Sequence, residues 1–267
     1  MDFSSPVYDA ARARLRARFG ESAEEWWRAL PAAVAELSHL WEFTVNSPAG
    51  RGNTSLVLRC VLVDGSAAML KLIPDRRLAE GEATSLASWA PSGRVPAVWA
   101  HDADLGALLL EAIERDTPIS EGTADVRPSE IADLIRALHE AGAPVIGHGV
   151  VSLAERVEFV FEHWADRYRR RPEVTAVVPL ARLERGHELA RLLVDGAAAP
   201  VLLHGDLHPG NVLDGGGSRG LVAIDPRPCV VLGFRCDARR RPGGPWREPR
   251  RSRAAACPSP VTEALRG

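Results

Sequence analysis

An α+β fold is expected for this 267-residue chain, chiefly from the order of its hydrophobic periods. Segment 41–113 reads as strands, segment 129–195 carries helical spacing, and short apolar runs return at 201–225. Length adds that the chain can hold one large domain or two lobes with a sizeable core. Composition adds that it is an ordinary globular sequence, 46% hydrophobic and 25% charged.

Taken in order, residues 6–40 read as one or two amphipathic helices, with Trp26, Leu30, Val34 and Leu37 on a stripe that packs against the rest of the protein. Trp41–Val45 reads as a strand. The run from Asn46 to Asn53 is turn-rich, Thr54–Val63 and Ala67–Ile73 are strands, and Asp64-Gly65 makes the hairpin turn between them. Arg77–Trp89 is a helix carrying Glu80 and Glu82. Val95–Ala100 and Ala107–Ile113 are strands joined by the turn His101–Gly106. The polar stretch Glu114–Pro128 is read as a linker. Helices follow at Ser129–Ala141, from a capping box at Ser152-Leu153-Ala154-Glu155 to about Arg169, and at Pro179–Asp195, where Gly196 stops the last one. The arginines at 167 and 169–171 suit the negative end of a helix dipole.

Several function classes are excluded at this stage. A formal charge of -2 creates no overall field for nucleic acid. No apolar run approaches the roughly 20 residues that span a bilayer, and the N-terminus lacks the apolar core of a signal peptide. A cytoplasmic, monomeric protein that binds neither membrane nor nucleic acid is expected. Cys60, Cys229, Cys236 and Cys257 show no CxxC spacing, so neither a disulfide framework nor a zinc site is indicated, and Cys60 reads as a core residue. Lys71 is the single lysine; every other basic side chain apart from histidine is arginine. Under such a bias a surviving lysine is expected to be needed as a compact ammonium, which a guanidinium does not replace.

The chemistry concentrates in VLLHGDLHPGNVLDGGGSRGLVAID, Val201–Asp225. Short strands Val201–Leu203, Val212–Leu213 and Leu221–Ile224 flank a polar loop, so two carboxylates and an amide stand at strand ends. Asp206 and Asn211 are five residues apart and Asp225 follows fourteen later. Phosphoryl transfer needs a carboxylate near the attacking hydroxyl and oxygen ligands for magnesium on the phosphates. Asp206 suits the first task, and Asn211 with Asp225 the second. The upstream hairpin, with Gly50 and Gly52 and a following strand that carries Lys71, could cover and grip a triphosphate. It contains neither G-x-G-x-x-G nor a Walker motif and alone reads as a plain turn.

His204-Gly205-Asp206 with Asn211, followed by Ile224-Asp225, resembles the HGDxxxxN and ID motifs of aminoglycoside phosphotransferases and related protein-kinase-like small-molecule kinases. The form LHGDLHPGNVL…VAIDPRP is most similar to the aminoglycoside/hydroxyurea resistance kinases, which include streptomycin 6-phosphotransferases. WWRALPAAVAELSHLWEF, GNTSLVLRCVLVDGSAAMLKL, GEATSLASW and HDADLGALLLEAI extend the resemblance over about 20–229. It implies a two-lobed fold, with a small antiparallel-sheet N-lobe and a mainly helical C-lobe, and use of ATP and Mg2+. It further implies that Lys71 holds the α/β-phosphates and pairs with Glu82, and that Glu111–Ile113 offers backbone groups to adenine. Asp206 is implied as catalytic base, with Asn211 and Asp225 as magnesium ligands. His204 is expected to brace the loop and His208 to be a loop or acceptor-side residue.

The pattern breaks after Asp225, where family members continue with a Gly-Asp pair and a Phe-Asp. Here the chain reads CVVLGFRCDARRRPGG, with Asp237 but no Gly-Asp pair, and turns arginine- and proline-rich. It reads either as a basic tail or as a frame-shifted reading of a GC-rich gene, the second favoured, and a truncated C-lobe is expected. The expected organisation is a helical segment 1–40, an N-lobe 41–113, a C-lobe 114–229 and a tail 230–267. The leading expectation is an ATP-dependent phosphotransferase acting on a hydroxyl of a streptomycin-like aminoglycoside or hydroxyurea. The alternatives are an impaired nucleotide-binding remnant and a metal-dependent hydrolase using His204, Asp206 and His208.

Overall fold

The computed structural model describes residues 2–50, 52–121, 126–196 and 199–232. Helices α1 (Asp9–Phe19) and α2 (Ser22–Leu40) open the chain. Strands β1 (Phe43–Pro48), β2 (Leu56–Leu62), β3 (Ala67–Leu72), β4 (Val98–Asp102) and β5 (Ala107–Glu111) form an antiparallel sheet in the order β1-β2-β3-β5-β4. Its two faces follow from the two-residue period of a strand. Leu56, Leu58 and Cys60 of β2, Ala68, Leu70 and Leu72 of β3, and Ala107 and Leu109 of β5 pack in one cluster with Leu15 of α1 and Trp27, Leu30, Val34 and Leu37 of α2. Cross-strand register keeps Leu58, Leu70 and Leu109 together on that face. The intervening residues Val57, Met69, Lys71 and Leu110 therefore share the opposite face, which lines a cleft.

The stripe on α2 differs from expectation by one residue. Trp27 is buried, whereas Trp26 is only partly covered at the edge of the cluster. At about 100° per residue both tryptophans lie on the flanks of the stripe of Leu30, Val34 and Leu37, so tertiary contacts decide. Trp27 packs on the rings of Phe3 and Tyr8, and its Nε1 donates to the Phe3 carbonyl at 3.3 Å.

Helix α3 (Arg76–Trp89) follows β3. The Asp75 carboxylate caps it by accepting from the Arg77 N–H (3.0 Å) and the Leu78 N–H (3.3 Å). Its buried face carries Ala79, Glu82, Ala83, Leu86 and Trp89, a 3–4 residue spacing that selects Glu82 over Glu80. Glu80 stays outside and meets His148 at 3.0 Å. Gly149, at φ +77°, packs against the same helix, and a Cβ there would lie 2.4 Å from the Gly81 nitrogen. That close backbone approach seats the 147–150 turn directly on α3.

The expected linker 114–128 contains β6 (Arg115–Pro118), then α4 begins (Pro128–Ala141). The run Arg115-Asp116-Thr117-Pro118 has no apolar alternation, and proline belongs on an edge, so its strand character has no local signal. Further on come β7 (Val151–Ser152), α5 (Leu153–Arg170), α6 (Pro172–Val177), α7 (Leu180–Asp195) and β8 (Pro200–Leu203). The capping box of α5 forms: Glu155 N–H donates to Ser152 Oγ (3.2 Å) and Ser152 N–H to Glu155 Oε2 (2.8 Å). The Gly196 N–H closes α7 on the Leu192 carbonyl at 3.0 Å. The remaining strands are β9 (Val212–Asp214), β10 (Leu221–Ala223) and β11 (Cys229–Leu232), and β6 joins β9 and β10 in a three-stranded sheet of order β10-β9-β6.

Two compact units result. One comprises Met1–Val150 with Leu202–Cys229; the other takes Val151–Val201 and the chain from Val230 onward. The first contains the five-stranded sheet, α3 and all of the polar loop. Within the second, α5 and α7 are joined by the stacked rings of Phe161 and His187, 4.5 Å apart, and by Glu158, which accepts from Arg191 at 2.6 and 2.7 Å. No helix among the described residues is long and apolar enough to cross a membrane. Cys236, Asp237, Cys257 and the rest of the expected tail beyond residue 232 lie outside the described residues.

Candidate active site

Lys71 lies on the cleft face of β3, beneath α3. It is 4% exposed and Glu82 3%. Lys71 Nζ donates to Glu82 Oε1 at 2.6 Å and also pairs with Asp225 Oδ1. Burial alone would lower the ammonium pKa, but the Asp225 and Glu82 carboxylates outweigh it and hold the group protonated, above the ordinary lysine value. Burial pushes Glu82 up against the pull of Lys71. Asp225 is desolvated too, yet Lys71 keeps it below the usual aspartate value. Three residues that stand apart in sequence thus form one cluster.

Asp225 has φ +55°, in the left-handed region that costs a non-glycine residue roughly 1–2 kcal/mol. The contacts around it hold that conformation. Ile224 N–H donates to the Asn211 carbonyl (3.0 Å), which sets Asn211 beside Asp225. Asn211 is buried and its Nδ2 donates to the backbone carbonyl of Asp206 (3.0 Å). Its Oδ1 takes no hydrogen bond among the described residues, nor does the second oxygen of Asp225. One amide and one carboxylate oxygen side by side fit the sparse oxygen set that magnesium accepts from protein. Asp206 is exposed, and its carboxylate has no partner among the described residues.

Both loop histidines hold backbone. His208 Nδ1 accepts from the Gly210 N–H at 3.0 Å. His204 lies flat against Trp89, with ring centroids 5.9 Å apart and planes at 16°. Its Nε2 lies 3.0 Å from the Ile224 carbonyl, so Nε2 carries the proton. Burial pushes the His204 pKa down from 6.5 to about 4. A histidine held neutral stabilises the fold fully above its unfolded pKa, and that contribution drains away as pH falls from about 6.5 to about 4. The depression corresponds to roughly 3 kcal/mol. Urea unfolding at pH 7, 5.5 and 4 should show this loss in the wild type. It should be largely absent in His204→Gln, whose amide N–H can still reach Ile224. Equal losses in both proteins would refute the assignment.

The cleft beneath β2, β3 and β5 opens to solvent and encloses a cavity of about 90 Å³. Val57 and Met69 form its sheet side, Leu213 and Ile224 lie on the β9–β10 side, and Lys71, Glu82 and Asp225 form its polar end. Val57 and Met69 had no individual signal in the sequence; only their odd or even place in β2 and β3 distinguishes them from the core residues on either side. Glu111 and Ile113 also line the cleft. Glu111 N–H donates to the Ala97 carbonyl (2.9 Å), so that donor is already engaged. The Glu111 side chain turns to the β9–β10 hairpin, where Arg219 grips it at 2.5 and 2.9 Å while also donating to Gly93 and Val95 carbonyls. Ile113, by contrast, has a buried side chain and no hydrogen-bond partner on its backbone among the described residues. Within the expected adenine segment Ala112 and Ile113 both keep a free backbone donor and acceptor among the described residues, and of the two Ile113 lines the cleft.

Residues 40–235 match the aminoglycoside/hydroxyurea antibiotic resistance kinases. The chain belongs to this family. It is 35% identical over 220 residues to hydroxyurea phosphotransferase of Kitasatospora aureofaciens, covering 78% of this chain and 60% of that relative. It is 32% identical over 218 residues to streptomycin 6-kinase of Streptomyces glaucescens, covering 79% and 66%. The chain therefore spans less than two thirds of the length of either relative. The fold is protein-kinase-like. Choline kinase LicA from Streptococcus pneumoniae superposes with a TM-score of 0.51 at 16% identity, covering 76% of this chain and 70% of that one.

Proposed function

We propose that this kinase-family chain transfers the terminal phosphoryl group of ATP to a hydroxyl of a small molecule, a streptomycin-like aminoglycoside or hydroxyurea. The observation that carries the reading is the cluster of Lys71, Glu82 and Asp225 at the polar end of an apolar-walled cleft, with Asn211 beside Asp225. The apolar walls Val57, Met69, Leu213 and Ile224 suit the faces of a purine, and the free backbone of Ile113 suits its polar edge. Lys71, kept cationic and oriented by Glu82, binds the α/β-phosphates. Asn211 and Asp225 hold magnesium, which when bound offsets charge on the phosphates. Asp206, with an unengaged carboxylate, orients the acceptor hydroxyl and takes its proton. The names of the relatives support the acceptor class: one acts on hydroxyurea, the other on streptomycin.

The hydrolase reading loses ground because no group of three or more His, Cys, Asp or Glu side chains able to hold a metal occurs among the described residues. Incubation with γ-labelled ATP and a panel including streptomycin and hydroxyurea tests the proposal. ATP-dependent label on an acceptor hydroxyl supports it. Nucleotide binding without transfer to any acceptor, or hydrolysis that proceeds without ATP, overturns it.

A further inference from the structure

Arg227, two residues beyond Asp225, is unlike the other arginines around the cleft. Arg59 is paired with Asp116, and Arg219 with Glu111. Arg227 makes no direct ion pair among the described residues, although its charge is near enough to Asp225 and Glu82 to pull both carboxyls down; the acceptor for its Nη2 is the neutral hydroxyl of Thr54. Thr54 is buried in the connection between β1 and β2, two residues after the cleft-lining Gly52. The backbone of Arg227 is held on the other side. Its N–H donates to the His204 carbonyl at 2.8 Å, and its own carbonyl packs so closely on Gly205 (φ +73°) that a Cβ there would sit 1.9 Å away. The residue thus ties the His204–Asp206 loop to the β1–β2 connection, with its charge close to Asp225 and Glu82 at the polar end of the cleft.

Lys71, the other cation at this end, is already matched by two carboxylates. A half-buried guanidinium satisfied by a hydroxyl has a better partner in phosphate, because charge-assisted bonds are roughly twice as strong as neutral ones and the fork can bind two oxygens. We infer that Arg227 is a second phosphate-binding cation, which exchanges the Thr54 hydroxyl for terminal phosphate oxygens when a nucleoside triphosphate occupies the cleft. The inference rests on the kinase reading above and assigns to this site a preference for triphosphate over nucleoside.

Calorimetric titration of ATP and adenosine, without turnover, tests it. Arg227→Met should weaken ATP by roughly tenfold to a hundredfold, the worth of hydrogen bonds to a charged group, and leave adenosine within about twofold. Arg227→Lys should recover part of the loss, keeping the charge without the fork. Thr54→Val should leave ATP affinity unchanged or tighter, since it frees the guanidinium. Unchanged adenosine affinity also shows that the variant has folded. If Arg227→Met loses ATP and adenosine alike, or Thr54→Val loses as much ATP affinity as Arg227→Met, Arg227 is a strap and the inference is wrong. If the wild type binds neither ligand, the kinase reading falls as well.

Discussion

Asp206→Ala should lower transfer to the acceptor by about 10²–10⁴-fold, the usual contribution of a positioned acid–base group, and leave nucleotide affinity nearly unchanged. The loop explains the separation. Its shape rests on backbone and neighbouring side chains: Asn211 Nδ2 donates to the Asp206 carbonyl rather than to its carboxylate, and His204 and His208 bind main-chain groups. Removing an exposed carboxylate with no partner among the described residues therefore costs little fold stability. The loss should appear in kcat and not in the Kd for ATP, because an interaction made only as the hydroxyl attacks does not contribute to ground-state binding. Single-turnover transfer and calorimetric ATP binding on the same sample resolve the two. Retention of most of an established transfer activity by Asp206→Ala would remove it from the proposed chemistry.

The parts of this architecture that were legible in the sequence are those with a local signature. Strand alternation in Leu56–Leu62 and Ala67–Leu72 anticipates both a core face and a cleft face, and the sole lysine stands out by residue type alone. Glu82 is separated from Glu80 by helical phase, which the sequence carries but which needs the burial of Ala79, Ala83 and Leu86 to read correctly. The close spacing of Asp206 and Asn211 makes the loop legible too. Other features join distant stretches through contacts with no periodic trace. Arg219 meets Glu111 across 108 positions and Arg227 meets Thr54 across 173. β6 gains its strand geometry from pairing with β9, not from its own residues. Trp26 and Trp27 are indistinguishable until Phe3 and Tyr8 pack on one of them. Tertiary context decides such cases, and local propensity does not.

Lys71→Met carries the largest expected effect on stability. The side chain is buried, and its ammonium separates two carboxylates that would otherwise face each other. Breaking a buried ion pair from one side typically costs about 3–5 kcal/mol, because the partner charge is left desolvated and unmatched. The deficit should shrink on acidification. Without the ammonium, burial and mutual repulsion push the Glu82 and Asp225 carboxyls upward, and a group with a raised folded pKa takes up protons preferentially in the folded state. Stability of the variant relative to wild type should thus rise as pH is lowered from 7 towards 5. In the wild type Asp225 is held below its ordinary value, so its own contribution runs the other way and is lost only as pH falls through that lowered pKa. Adding Glu82→Gln to Lys71→Met should restore much of the stability at pH 7, since a neutral pair replaces a stranded charge. It should not restore nucleotide binding, because neither methionine nor glutamine supplies the cation that the phosphates need. Lys71→Arg should bind ATP poorly as well: the fork is larger than the ammonium and cannot occupy the same space between Glu82 and Asp225. Thermal unfolding across pH together with ATP titration separates the structural role from the binding role. If the double variant regains ATP affinity along with stability, Lys71 serves the fold alone and the phosphate grip lies elsewhere.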